Sequence, residues 1–161
     1  LGRVLVTGGS GFVGANLVTE LLGRGHHVRS FDRAPSPLPA NPNLDTLVGD
    51  ITNPEDVSKA VADIDTIIHT AAIIDLMGGA SVTDEYRNRS FGVNVGGTEN
   101  LVKLGRAAGV KRFVYTASNS VVERSSSTYA VGTGSISLPV NSRTCWSGWC
   151  AITVRVSGPE T

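Results

Sequence analysis

The stretch Val4-Leu5-Val6-Thr7-Gly8-Gly9-Ser10-Gly11-Phe12-Val13-Gly14-Ala15-Asn16-Leu17 decides the fold. Arg3 to Thr7 is a short β-branched run, apolar on both faces, which suits a strand buried on both sides of a parallel sheet. Val13, Leu17, Val18, Leu21 and Leu22 then recur at helical spacing, and Gly23 and Gly25 end that helix. Between strand and helix lie glycines in two readable registers, Gly9-x-Gly11-x-x-Gly14 and Gly8-x-x-Gly11-x-x-Gly14. Such a turn uses glycine for unusual dihedrals, for bare backbone beside a pyrophosphate, and for close helix–strand packing. The helix start then offers unpaired N–H groups and a positive dipole end to phosphates.

The alternation continues outward from this turn. Val28 to Asp32 reads as a second strand, and four prolines between Pro35 and Pro42 mark a surface loop. Leu44 to Val48 is a third strand, and Thr52 or Asn53 caps a helix with Pro54 at its first position. That helix turns Val57, Ala60 and Val61 inward. Asp65 to Thr70 is a fourth strand and Lys111 to Thr116 a fifth. Residues 84–108 read as one long helix, with Phe91, Val95, Leu101, Val102 and Leu104 as core candidates. Strand–helix alternation with right-handed crossovers predicts an α/β fold with a doubly wound parallel sheet, the Rossmann arrangement.

Asp32 lies 18 residues past Gly14, at the end of the second strand. A carboxylate there accepts from the adenosine ribose hydroxyls and repels a 2′-phosphate, so NAD is favoured over NADP. The adjacent Arg33 is a cation that could accommodate such a phosphate. The alternative for the glycines is a tight turn without a ligand, which would use three glycines at an entropic cost. Asp50 either bonds an adenine amino group or is a turn residue before Thr52. His69 reads as a satisfied strand histidine, while Thr70, Ala71 and Ala72 are small enough to let a cofactor lie over the sheet edge.

Together these residues resemble the extended short-chain dehydrogenase/reductase family. The resemblance runs through Thr7 to Gly14, Asp32, Gly49-Asp50-Ile51, Asn94-Val95-Gly96-Gly97-Thr98-Glu99-Asn100, and Tyr115 to Val121. Ile68-His69-Thr70-Ala71-Ala72-Ile73-Ile74-Asp75 is similar to the 3β-hydroxysteroid dehydrogenase/isomerase branch, in its actinobacterial form. The resemblance implies that NAD is held by Gly8, Gly9, Gly11, Phe12, Val13, Gly14, Asp32, Arg33, Asp50, Ile51, Thr70, Ala71 and Ala72. It implies a small-molecule steroid substrate, oxidised from the 3β-alcohol to the 3-ketone, with a linked Δ5-to-Δ4 shift. It also implies a catalytic Ser, Tyr and Lys with a supporting Asn; Ser118 and Asn94 match the Ser and the Asn. Another extended dehydrogenase or epimerase, or a non-enzymatic dinucleotide-binding module, are the competing readings.

The family's Tyr-x-x-x-Lys is missing. The three lysines, Lys59, Lys103 and Lys111, all precede Ser118, and Tyr129 is followed by Ala130-Val131-Gly132-Thr133. The chain is therefore expected to be inactive and to lack the C-terminal substrate lobe, and a five-strand sheet without its sixth strand and last helices would leave an edge strand and one sheet face exposed. Composition changes at the same place. Residues 1–122 hold 17 Ser and Thr, whereas residues 123–161 hold 13 in 39 positions, with both Trp, both Cys and no Lys, Asp or His. The expected division is an NAD-binding part, 1–122, and an aberrant or non-homologous tail, 123–161, either a frameshifted continuation or a genuine C-terminal piece of a short protein; within it only Ala151 to Val156 passes for a strand. Leu1 in place of Met suggests missing upstream residues.

Across all 161 residues, 14 Lys and Arg balance 14 Asp and Glu. That balance argues against a nucleic-acid partner or a polybasic membrane surface. No apolar run reaches membrane-spanning length and no signal peptide opens the chain, so a cytoplasmic location is expected. Cys145 and Cys150, without further Cys or His in the tail, make neither a disulfide scaffold nor a metal site.

Overall fold

A computed structural model describes residues 2–74, 83–118, 140–146 and 149–155. Strands β1 (Val4–Thr7), β2 (Val28–Asp32), β3 (Leu44–Val48), β4 (Thr66–His69) and β5 (Arg112–Ser118) pair in parallel in the order β3-β2-β1-β4-β5. Helices α1 (Phe12–Gly23), α2 (Pro54–Val61) and α4 (Thr98–Ala107) make the crossovers, and α3 (Asp84–Phe91) precedes α4. The doubly wound parallel arrangement read from the sequence is the one observed.

Side chains alternate across each strand, so each buried strand feeds two cores. Leu5, Phe31, Ile67 and Phe113 point to one face and pack with Val57, Ala60 and Val61 of α2 and Leu101 of α4. Val4, Val6 and Val28 point to the other face and pack with Val18 and Leu21 of α1. Asn53 caps α2, its side chain accepting from Glu55 N, with Pro54 in the first turn. The β3 edge strand has no fully buried residue.

Two expectations are corrected. The helix expected over residues 84–108 is not uniform: α3 runs into a π-helical turn at Gly92–Gly97 before α4 begins. Phe91, a core candidate, is 67% exposed, because α3 buries none of its residues. The other correction concerns the sheet edge. Strand β7 (Trp149–Arg155) pairs antiparallel with β5 along Arg112–Ser118, and β6 (Val140–Trp146) pairs antiparallel with β7. The fifth strand is thus covered, and the sheet has the full order β3-β2-β1-β4-β5-β7-β6. β7 overlaps the segment that passed for a strand. β6 has no period of two, and its place depends on backbone ladder bonds to β7.

Candidate functional site

Strand order reverses between β1 and β4, and at such a switch point the loops leaving the two strands diverge and open a crevice. Gly8 leaves β1 with φ +72°, and a Cβ there would lie 2.7 Å from Ala71 N and 2.8 Å from Ala71 Cα. The loops after β1 and β4 therefore touch backbone to backbone. A Cβ on Gly14 would fall on the Gly8 carbonyl oxygen, so α1 packs as closely as a glycine allows. Gly11 differs: its φ is −76°, and the nearest atom to a Cβ there is Gly8 O at 3.3 Å. The backbone does not demand glycine at Gly11 and the contact with Gly8 O is tight but far looser than at Gly14, so this is the side of the turn on which a pyrophosphate could lie.

Helix α1 has no side-chain cap and no acid in its first turn, unlike α2 and α3, which have both. Its first N–H groups and its dipole are left to an anion. Phe12 is 88% exposed and Val13 is also exposed, flanking this opening.

Asp32 ends β2 beside the glycine turn. Its Oδ2 accepts from Ser10 N at 3.0 Å and its Oδ1 from Ala34 N at 3.1 Å, while Ser10 Oγ donates to Ala34 O at 2.9 Å. Each carboxylate oxygen retains acceptor capacity for a ribose hydroxyl. Arg33 lies with its Nε 3.4 Å from Asp50 Oδ2. Of the two readings of Asp50, the turn is visible: Oδ1 accepts from Thr52 N and from Thr52 Oγ1, both at 2.8 Å. Ile51 is buried in the core, and its carbonyl accepts from Asn100 Nδ2 at 3.1 Å, so its side chain does not face the opening.

The end of β4 carries a hydrogen-bond relay. Thr98 Oγ1 donates to Asn94 O at 2.7 Å, so the 3.0 Å contact between His69 Nε2 and Thr98 Oγ1 is a donation from the imidazole. The other ring nitrogen, Nδ1, is then an acceptor, and Thr7 Oγ1 donates to it at 2.6 Å. His69 is thus a satisfied strand histidine, packed beside the Phe113 and Tyr115 rings, and burial pushes its pKa down to about 4. Thr70 N and Thr70 Oγ1 both donate to Thr7 O. Ala71 is half-buried and Ala72 exposed at the same edge.

Asn94 sits in the π-helical turn. Its Nδ2 donates to Ile73 O and its Oδ1 accepts from Ile73 N, both at 2.8 Å, pinning the chain after β4. Ser118 is the last residue of β5 and pairs in register with Trp149. Asp75, Ser120, Val121 and Tyr129, quoted for the resemblance or for the missing motif, lie outside the described residues. Sequence reasoning missed Ser10, Thr7 and Thr98 as the groups that tie the site together. Of these, only Thr98 left a signal, standing one helical turn after Asn94.

A small cavity also opens among Arg3, His27, Arg29, Asn43, Asp45 and Ile64, at the opposite ends of the strands. Arg29 is spent there on Asp45 and on the carbonyls of Lys59, Ala60 and Ala62 that end α2. The cavity is therefore structural, and the switch point is the candidate site. No helix among the described residues is long and apolar enough to cross a membrane.

Comparison with known proteins agrees with this geometry. The model of the 3-beta hydroxysteroid dehydrogenase/isomerase family matches residues 5–147. The chain belongs to that family. It is 80% identical over 122 residues to a 3-beta-hydroxysteroid dehydrogenase of Mycolicibacterium neoaurum, covering 76% of this chain and 33% of the relative. It is 75% identical over the same length to a 3 beta-hydroxysteroid dehydrogenase/Delta 5-->4-isomerase of Mycobacterium tuberculosis, with the same coverage. A short-chain dehydrogenase/reductase superfamily protein from Agrobacterium tumefaciens, solved with bound NAD, superposes with a TM-score of 0.62 at 33% identity. That match covers 74% of this chain and 33% of that one. The chain spans about a third of the length of the curated family members it matches.

Proposed function

We propose that this chain is the NAD-binding part of a 3β-hydroxysteroid dehydrogenase, and that it is catalytically silent by itself. The observation that carries the reading is the cradle at the switch point. Gly8 and Gly14 are demanded by backbone contact, Gly11 leaves ligand space, and α1 presents an uncapped N-terminus. The residues present fit a dinucleotide: the first turn of α1 would face the pyrophosphate, and Asp32 would accept from the adenosine ribose. When bound, NAD supplies a hydride acceptor for the steroid 3β-carbon.

This chain's own residues contribute positioning. Asn94 holds the Ile73 backbone, Thr7 and Thr98 hold His69, and Ser118, which matches the family's catalytic Ser in the sequence, ends β5. A dehydrogenase of this family also needs Tyr-x-x-x-Lys to remove the alcohol proton, and every lysine here precedes Ser118. The identities of 75% and 80% support a steroid rather than a nucleotide-sugar substrate for the whole protein.

A thermal-shift titration with NAD⁺ tests the binding part. A ligand that binds only the folded chain stabilises it by about 2.7 kcal/mol at 100-fold over its Kd. An unchanged melt at millimolar NAD⁺ would overturn the reading. Formation of a 3-ketosteroid and NADH from a 3β-hydroxysteroid by this chain would overturn its silence.

A further inference from the structure

We propose that Asp50 is a specificity-determining residue that disfavours a 2′-phosphorylated dinucleotide by pairing with Arg33. The proposal rests on the dinucleotide-binding reading and goes beyond it. A 2′-phosphate on the adenosine ribose needs a cation beside Asp32, and Arg33 is that neighbour in the chain. In this structure its Nε faces Asp50 Oδ2 at 3.4 Å, so its charge is already countered.

Asp50 is held too firmly to follow Arg33 away. Thr52 N and Thr52 Oγ1 both donate to Asp50 Oδ1, and Asp50 N donates to Asp56 Oδ2 at 3.1 Å. Gly49 N donates to Asp32 O at 2.9 Å, which fixes this turn against the end of β2. A Cβ on Gly49 would lie 2.7 Å from Phe31 Cε2, so the turn sits as close to β2 as glycine allows. The carboxylate is therefore a fixed counter-charge one strand from the ribose site. Arg33 is the movable partner, its side chain 60% exposed. A surface pair of this kind contributes little to folding but sets the local charge that a dianionic phosphate meets. With Asp32 and Asp50 both carrying charge against Arg33 alone, the ribose pocket is net negative.

Asp50→Asn removes the charge while keeping an Oδ1 acceptor for Thr52. The full chain is titrated with NAD⁺ and with NADP⁺ as wild type, Asp50→Asn, Asp50→Ser, Arg33→Gln and the Arg33→Gln/Asp50→Asn double variant. Affinity is read by calorimetry, with the melt of each variant recorded without ligand. The expected result is an NAD⁺-over-NADP⁺ preference reduced about tenfold in Asp50→Asn through tighter NADP⁺ binding. Asp50→Ser should move the same way, and the double variant should return to the wild-type preference. An unchanged preference in both Asp50 variants overturns the proposal, and so does a changed preference that persists without Arg33. Wild type binding NAD⁺ with no Asp50 effect leaves the binding reading standing and removes only this inference. Wild type binding neither dinucleotide removes both.

Discussion

The Thr7 hydroxyl donates to His69 Nδ1 at 2.6 Å, joining the last residue of β1 to the last residue of β4 at the switch point. The imidazole is neutral because burial disfavours its charged form, and its pKa falls from 6.5 to about 4. Protonation would also place an N–H against Thr7, whose own proton would have to turn away. The unfolded chain takes up this proton as pH drops below 6.5, while the folded chain resists until about 4. Stability from His69 is therefore complete above pH 6.5 and is lost on acidification, roughly 3 kcal/mol across the window. Denaturant unfolding at several pH values should show a shallower acid loss in His69→Gln than in wild type. Equal slopes would show that His69 does not titrate in this way.

Gly11 and Gly14 should respond differently to alanine. Gly14→Ala drives a Cβ onto the Gly8 carbonyl and is expected to destabilise by about 1–3 kcal/mol. Gly11→Ala meets only Gly8 O, tightly at 3.3 Å, and its melt should fall less than that of Gly14→Ala while NAD⁺ binding weakens sharply. Melts paired with calorimetry separate the two effects. A Gly11→Ala chain that binds NAD⁺ normally would count against the cradle.

Asn94 is the only side chain seen bonding both the N–H and the carbonyl of Ile73 among the described residues. Asn94→Ala leaves both half-buried groups unpaired and should cost about 2 kcal/mol. Hydrogen exchange should accelerate first at Ile73 and its neighbours. Unchanged protection there would show that the loop after β4 is held by other contacts.

The tail has a measurable role in the sheet. A chain ending at residue 122 would lose β6 and β7 and leave β5 paired with β4 alone, its outer edge open from Arg112 to Ser118. Such a chain is expected to self-associate, because an unpaired edge templates further strands. Size-exclusion chromatography of the two lengths decides it. A monomeric, equally stable short chain would show that the β5–β7 pairing contributes nothing in solution.

The sequence by itself determined the parallel alternation, the glycine turn after β1 and the carboxylate at the end of β2. Each depends on local chemistry: apolar period, backbone freedom, and a carboxylate at a strand end. Asn53 and Pro54 likewise announce the start of α2 because a cap acts within its own turn. Tertiary structure alone decided the rest. Phe91 has the right residue type for a core but lies on a helix that buries nothing. Asp50 reads from the sequence as a ligand or a turn residue, and only the folded chain brings Thr52 to its Oδ1 and Arg33 to its Oδ2. The direction of the His69 relay required Thr7 and Thr98, which stand 62 and 29 residues from it in the chain. Strand β6, without a pattern of its own, is placed by the backbone of β7, because ladder hydrogen bonds are made by every residue type alike.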